Sequence, residues 1–211
     1  AGRPRCNVPF MRPSYLAEDT SKTIDVVIHA IQMLRASGKT FDTLVLLQPT
    51  QPLRTSEDID EAIEDYMNSD CISLASVNLV DDHPLLIRTI SQRAISQNNS
   101  KTDITDQTNN NQATDKAVTT VKTVKTLKPM LNASSTCRRQ DMPIYYRVNG
   151  CIYINEIDSI DENTSFNDNS LPFIMDNSHS VDIDDYKDLC VAEFFLRKKK
   201  KREELPITGF F

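Results

Sequence analysis

The sequence predicts an α/β fold, and three observations predict it. Residues 19–36 carry an apolar stripe of helical period. Residues 44–47 form a short unbroken apolar run, the mark of a strand buried on both faces. That run leads through a loop into a second helix and a second strand, which is the order of a βαβ unit.

In the first helix, Ile24, Val27, Ile28, Ile31 and Leu34 form the stripe. Asp19, Thr20 and Ser21 offer capping oxygens at its start, and Gly38 stops it. The strand at 44–47 reads as interior to a parallel sheet, with a neighbour on each side. It ends in Gln48-Pro49-Thr50-Gln51-Pro52-Leu53-Arg54, stiffened by two prolines. Thr55-Ser56-Glu57-Asp58 opens the second helix with acidic residues in its first turn, where the helix dipole favours them, and Ile59, Ile63 and Met67 supply its apolar face. Residues 71–77 read as the next strand. From about 91 to 128 Asn, Gln, Thr, Ser, Asp and Lys dominate. Such a segment buries too little apolar surface to offset its ordering entropy, so it is expected to be a mobile insertion. Order resumes after it: Asn149-Gly150 reads as a turn, 151–154 and 172–175 as strands, and 186–197 as a helix behind an acidic cluster. The basic run Arg197-Lys198-Lys199-Lys200-Lys201-Arg202 reads as the solvated end of that helix, favoured there by the dipole, against a headgroup or nucleic-acid contact. One domain over 1–196 with a polar insertion, followed by a basic tail at 197–211, is the expected organisation.

Composition narrows the function. A chain of 211 residues suffices for one domain with a sizeable core. Its formal charge of −6 argues against nucleic acid as a partner, since the mean field repels a polyanion. No apolar run approaches the ~20 residues of a membrane span, so no membrane role is expected. Five widely spaced cysteines without a CxxC pair suggest neither a disulfide framework nor a zinc site, and fit a reducing cytoplasm. Cys71, Cys151 and Cys190 lie in apolar runs and read as small core residues.

Three places carry residues suited to chemistry. In Ser180-Val181-Asp182-Ile183-Asp184-Asp185, alternation would set Asp182 and Asp184 on one face of a strand. Two hard oxygen ligands at that spacing suit Mg²⁺ whose remaining positions are water and phosphate. The same aspartates serve equally as caps for the last helix. Arg138-Arg139-Gln140-Asp141 offers guanidinium groups for phosphate or carboxylate, or an internal Arg–Asp pair in a surface loop. Gln48, held at a strand's carboxyl end, suits a sugar or base, or a bracing role in its loop. His29 lies beside the helix stripe and reads as a packed or surface residue.

Gln48-Pro-Thr-Gln-Pro-Leu-Arg54, Arg138-Arg-Gln-Asp141, Asn149-Gly150 with Tyr153, and His179-Ser-Val-Asp-Ile-Asp184 stand in the order and spacing of the acylneuraminate cytidylyltransferases, the CMP-sialic acid synthetases. Phe10-Met-Arg12-Pro13, Ala17-Glu18-Asp19 and residues 23–30 also resemble that family, so the likeness covers most of 7–196 outside the polar insertion. The resemblance implies a doubly wound, mostly parallel sheet of the nucleotide-sugar transferase type and a homodimer. It implies transfer of CMP from CTP to a sialic-acid-type nonulosonic acid with Mg²⁺. On it, Asp182 and Asp184 hold the metal, and Arg139 meets the sugar acid or the departing phosphates. Gln48, Asn149 and Tyr153 line the sugar site, and Phe166 shapes the pocket for the sugar's acyl group. Arg12, Ser21 and Thr23 match the nucleotide side.

The sequence also departs from that pattern. Nothing in it matches the family's leading strand and Gly- and basic-rich triphosphate loop; the chain has four glycines. Residues 1–211 alone are therefore expected to lack much of the triphosphate grip, and with it turnover. Gln51 stands where the family usually has Ser, and Leu86 follows His83-Pro84-Leu85 where a basic residue is usual. Two alternatives stay open: a cytidylyltransferase for legionaminic, pseudaminic or a related acid, and a non-catalytic remnant of the fold that binds or dimerises.

Overall fold

The computed structural model describes residues 7–97, 120–133, 136 and 138–204. They fall into two compact units, Ala1–Val80 with Tyr146–Phe211, and Asp81–Tyr145.

In the first unit, helix α1 spans Thr23–Ala36. Lys22 is its N-cap and gives no side-chain cap bond; the Ser21 hydroxyl donates instead to the Tyr15 carbonyl at 3.0 Å. The stop is as expected. Gly38 takes φ +77°, its N–H bonds to Arg35 and the Lys39 N–H to Leu34, which closes the helix end through a left-handed residue. Strand β1 is Thr43–Leu46. Helix α2, Ser56–Met67, opens with a reciprocal capping box between Thr55 and Asp58. Its packed face is Ile59, Ala62 and Tyr66, whereas Ile63 and Met67 are exposed. The bulky Tyr66 ring turns the buried stripe by part of a turn from the one the aliphatic residues suggest. Strand β2 is Ser73–Leu79.

The second unit encloses the polar stretch. Strands β3, Arg88–Gln97, and β4, Thr120–Pro129, pair antiparallel from Arg88↔Pro129 to Gln97↔Thr120. The described flanks of 91–128 are thus a ladder, not an unstructured segment. Composition measures how much apolar surface can be buried, whereas a ladder satisfies backbone groups that every residue carries. Residues 98–119 lie outside the described part.

The chain re-enters the first unit as β5, Tyr146–Glu156, followed by β6, Leu171–Ile174, and helix α3, Tyr186–Glu204. The sheet order is β1-β5-β2-β6. β5 runs antiparallel to both β1 and β2, and β6 parallel to β2. The expectation of a mostly parallel sheet is therefore corrected: two of the three pairings are antiparallel. Leu79 at the end of β2 pairs with Tyr146 at the start of β5, so the returning strand must run back along β2. It separates β1 from β2, which still point the same way, as the ends of a βαβ unit do. β1 has β5 as its one partner among the described residues. An apolar run reports what covers a strand's faces and says nothing of its edges.

Those faces are covered. Val45, Leu74, Ile152, Ile154 and Phe173 pack with Ala62 and Tyr66 of α2. Leu44, Leu46, Ala75, Val148 and Tyr153 pack with Ile24, Val27, Ile28 and Ile31 of α1. The period of two along each strand sends alternate residues to opposite layers. Helix α3 continues through the basic run to Glu204. No helix among the described residues is long and apolar enough to cross a membrane.

Candidate active site

At the carboxyl end of β1 the chain enters the loop of residues 48–54, and β5 holds that loop in place. Gln51 is 2% exposed and donates from Nε2 to the Asn149 carbonyl at 2.5 Å. The Arg54 guanidinium donates to the Cys151 carbonyl at 2.6 Å and more weakly to that of Gln48. Gln48 lies over Gly150, where an added Cβ would come within 2.8 Å of its Oε1 and φ is +76°. Only a residue with neither a Cβ nor a penalty for that φ permits this approach.

Asn149-Gly150 is not a terminal turn but a bulge inside β5. Ala75 pairs with Tyr153 and Val77 with Val148, so one residue of β2 faces four of β5. The break also appears in packing, because Cys151 and Ile152 are consecutive yet join the same core layer. Side chains replace the missing ladder bonds. The Ser76 hydroxyl donates to Asn149 Oδ1 at 2.6 Å and accepts the Ile152 N–H at 2.7 Å. Asn149 Oδ1 also accepts the Cys151 N–H at 3.0 Å.

Tyr153, on the α1 side of β5, is 4% exposed. Its hydroxyl donates to Asn167 Oδ1 at 2.6 Å, and its ring lies 5.7 Å from that of Phe166. Burial, and after it the charge of Asp182, raises the phenol pKa above its usual value. The Cys151 thiol is likewise pushed up by burial, against the opposing pull of Arg54; it reads as a core residue, not a nucleophile. The charge of Asp182 thus acts on both side chains.

The segment carrying Asp182 is not a strand. It runs beside the loop, with the Ile183 N–H on the Thr50 carbonyl at 3.0 Å. Asp182 is half-buried, and its Oδ1 has no hydrogen-bond partner. Asp184 is exposed, and its N–H joins that of Asp185 on the Asp188 carboxylate, while Asp185 accepts from the Asp188 N–H. Helix capping therefore claims Asp185 and Asp188, and the carboxylates of Asp182 and Asp184 stay outside it. Among the described residues no group of three or more His, Cys, Asp or Glu side chains gathers as a metal site.

Gln48, Asn149, Tyr153, Phe166 and Asp182 are accordingly brought to the carboxyl-end side of β1 and the middle of β5. Arg12, Ser21 and Thr23 lie on and before α1. Arg12 and Thr23 are exposed, and the segment bearing Arg12 is pinned to α1 through a ring contact of 5.6 Å between Phe10 and His29. Arg139 belongs to the second unit, where it donates to the Asp81 carbonyl at 2.9 Å; Arg138 forms the expected pair with Asp141 at 2.7 Å. His83 in that unit contacts the Pro143 carbonyl and the Tyr145 ring. The sequence reading missed Ser76 and Arg54 as supports, and treated Gln51 only as a departure. A Ser set between the apolar Ala75 and Val77 of β2 was the available signal for Ser76.

Three orphaned buried atoms mark this region: Gln51 Oε1, Asn149 Nδ2 and Asp182 Oδ1. Burying polar atoms unpaired is costly, so the cluster is suited to a polar ligand or bound water that supplies the partners.

No protein-family model matches the chain. A CMP-N,N'-diacetyllegionaminic acid synthase of Legionella pneumophila is 30% identical over 189 residues, 89% of this chain and 68% of the relative. A post-translational flagellin modification protein B of Campylobacter coli is 28% identical over 192 residues, 90% of this chain and 68% of the relative. An N-acylneuraminate cytidylyltransferase of Streptococcus agalactiae is 28% identical over 141 residues, 66% of this chain and 27% of the relative.

Proposed function

The chain belongs to the acylneuraminate cytidylyltransferase family, and from that membership and the site described above we propose that it serves the transfer of CMP from CTP to a nonulosonic acid. The reaction joins the sugar's anomeric oxygen to the α-phosphorus of CTP as the bond to the β-phosphate breaks. The electron pair leaves with pyrophosphate, and the hydroxyl proton passes to a carboxylate or to solvent. In this proposal the fold is of the nucleotide-sugar transferase type, and the protein works as a homodimer in the cytoplasm, with neither nucleic acid nor a membrane as partner.

The observation that carries the reading is the buried polar cluster of Gln51, Asn149 and Asp182 beside Tyr153. Sugar hydroxyls and amides donate and accept alike, and such a ligand meets both kinds of orphaned atom. Gln48, Asn149 and Tyr153 would orient the acid sugar, with Phe166 behind Tyr153 as an apolar wall. Arg12, Ser21 and Thr23 would face the nucleotide. Asp182, whose Oδ1 has no partner in the protein, and the exposed Asp184 would hold Mg²⁺, which when bound neutralises phosphate charge.

Two measurements test this. Calorimetry should detect binding of N-acetylneuraminate or N,N'-diacetyllegionaminate to residues 1–211, and failure with both acids overturns the sugar site. Pyrophosphate release with CTP, Mg²⁺ and the acid tests the transfer. Binding without release limits these residues to the sugar half of the reaction.

A further inference from the structure

The bulge in β5 is set from the neighbouring strand, and we infer that Ser76 is a positioning residue that aims the Asn149 amide into the sugar site. This rests on the function proposed above. The argument is donor and acceptor arithmetic. Ser76 is fully buried and has one proton to give. Its oxygen accepts the Ile152 N–H, and its proton goes to Asn149 Oδ1. The Cys151 N–H needs an acceptor too and finds the same Oδ1. An amide turned the other way would set its NH₂ against the Cys151 N–H and leave the Ser76 proton without this acceptor. Oxygen is therefore held on the β2 side, and Nδ2 is left pointing away with no acceptor in the protein. Gln51 completes the clamp from the loop by holding the Asn149 carbonyl. Every other polar atom of the Asn149 side chain is spoken for, so Nδ2 is the one it can offer a substrate oxygen. Ser76 touches no ligand itself; it acts through Asn149.

The test uses calorimetry with N-acetylneuraminate and N,N'-diacetyllegionaminate on the full chain, together with the side-chain ¹⁵N–¹H resonances of Asn149. Ser76→Ala should weaken acid-sugar binding about tenfold or more, since the amide loses its fixed orientation, and should shift and broaden the Asn149 NH₂ pair. Asn149→Asp keeps both acceptor bonds but removes the donor, and should weaken the sugar at least as much with the fold retained. Ser76→Thr, which keeps the hydroxyl, should restore binding toward wild type; it also guards against Ser76→Ala failing to fold. Lowered thermal stability in Ser76→Ala with unchanged sugar affinity and an unchanged Asn149 amide pair would overturn the inference. If the wild type binds neither acid, the proposed function itself fails, and the amide resonances of Ser76→Ala still decide whether Ser76 orients Asn149.

Discussion

Tyr153 is held by two unlike forces: its ring packs against Phe166 and α1, while its hydroxyl is tied to Asn167 at 2.6 Å. A phenol in that setting resists ionisation first because it is buried and then because Asp182 is near. The two causes separate in a spectrophotometric titration. In Asp182→Asn the Tyr153 midpoint should move down yet stay above that of an exposed tyrosine, because burial remains. An unmoved midpoint would mean that the carboxylate does not face the ring. The resemblance marked Tyr153, Asn149 and Gln48 because each stands in a recognisable motif. Ser76 and Arg54 do their work through contacts with β5, and no short spacing announces such a contact.

Helix α2 illustrates how an element is fastened near the site. Its capping box, Thr55 with Asp58, satisfies N–H groups at the start of the helix. Replacing Thr55 with Ala should cost about 1 kcal/mol, the usual range for a lost cap, as read by chemical denaturation. Burial pushes the Asp58 carboxyl up. Hydrogen bonds from the Thr55 N–H and hydroxyl and from His179, with the charge of His179, outweigh it, and the pKa is lowered overall. A carboxyl lowered on folding stabilises the fold above its ordinary pKa, and that contribution is lost as pH falls through the folded value. The stability gap between wild type and Asp58→Asn should thus hold steady near neutral pH and shrink in acid below the usual carboxylate range. A gap that widens in acid would reverse the sign and refute the assignment. This cap was legible in Thr55-Ser56-Glu57-Asp58 because capping is settled within four residues. The cap expected for α1 was not realised, because Ser21 turned to the Tyr15 carbonyl instead.

At the scale of the molecule, β5 joins both core layers of the first unit. Ile152 and Ile154, both fully buried, face α2, and Tyr153 between them faces α1. Ile152→Ala should therefore destabilise by about 2–5 kcal/mol, the range for emptying a packed aliphatic site. Ile174→Ala, at a residue 60% exposed, should stay within about 0.5 kcal/mol. Denaturant titration of the two variants checks the contrast, and equal losses would show that β5 is not the centre of the core.

Local order was the sequence's own to decide: the stripe of α1 and its stop at Gly38, the capping box of α2, the βαβ order, and the series of motifs that places the chain in its family. Each is settled by residues a few positions apart, through periodicity, φ preference or a cap. Pairing was decided only by the tertiary structure. It put β5 between β1 and β2, left β1 with one partner among the described residues, and drew the polar flanks of 91–128 into a ladder. It also bound Ser76 to Asn149 across 73 residues of sequence. A strand's apolar pattern specifies which face it buries, but its edge groups are the same backbone N–H and C=O at every position, so which strand meets that edge, and in what register, depends on packing throughout the unit.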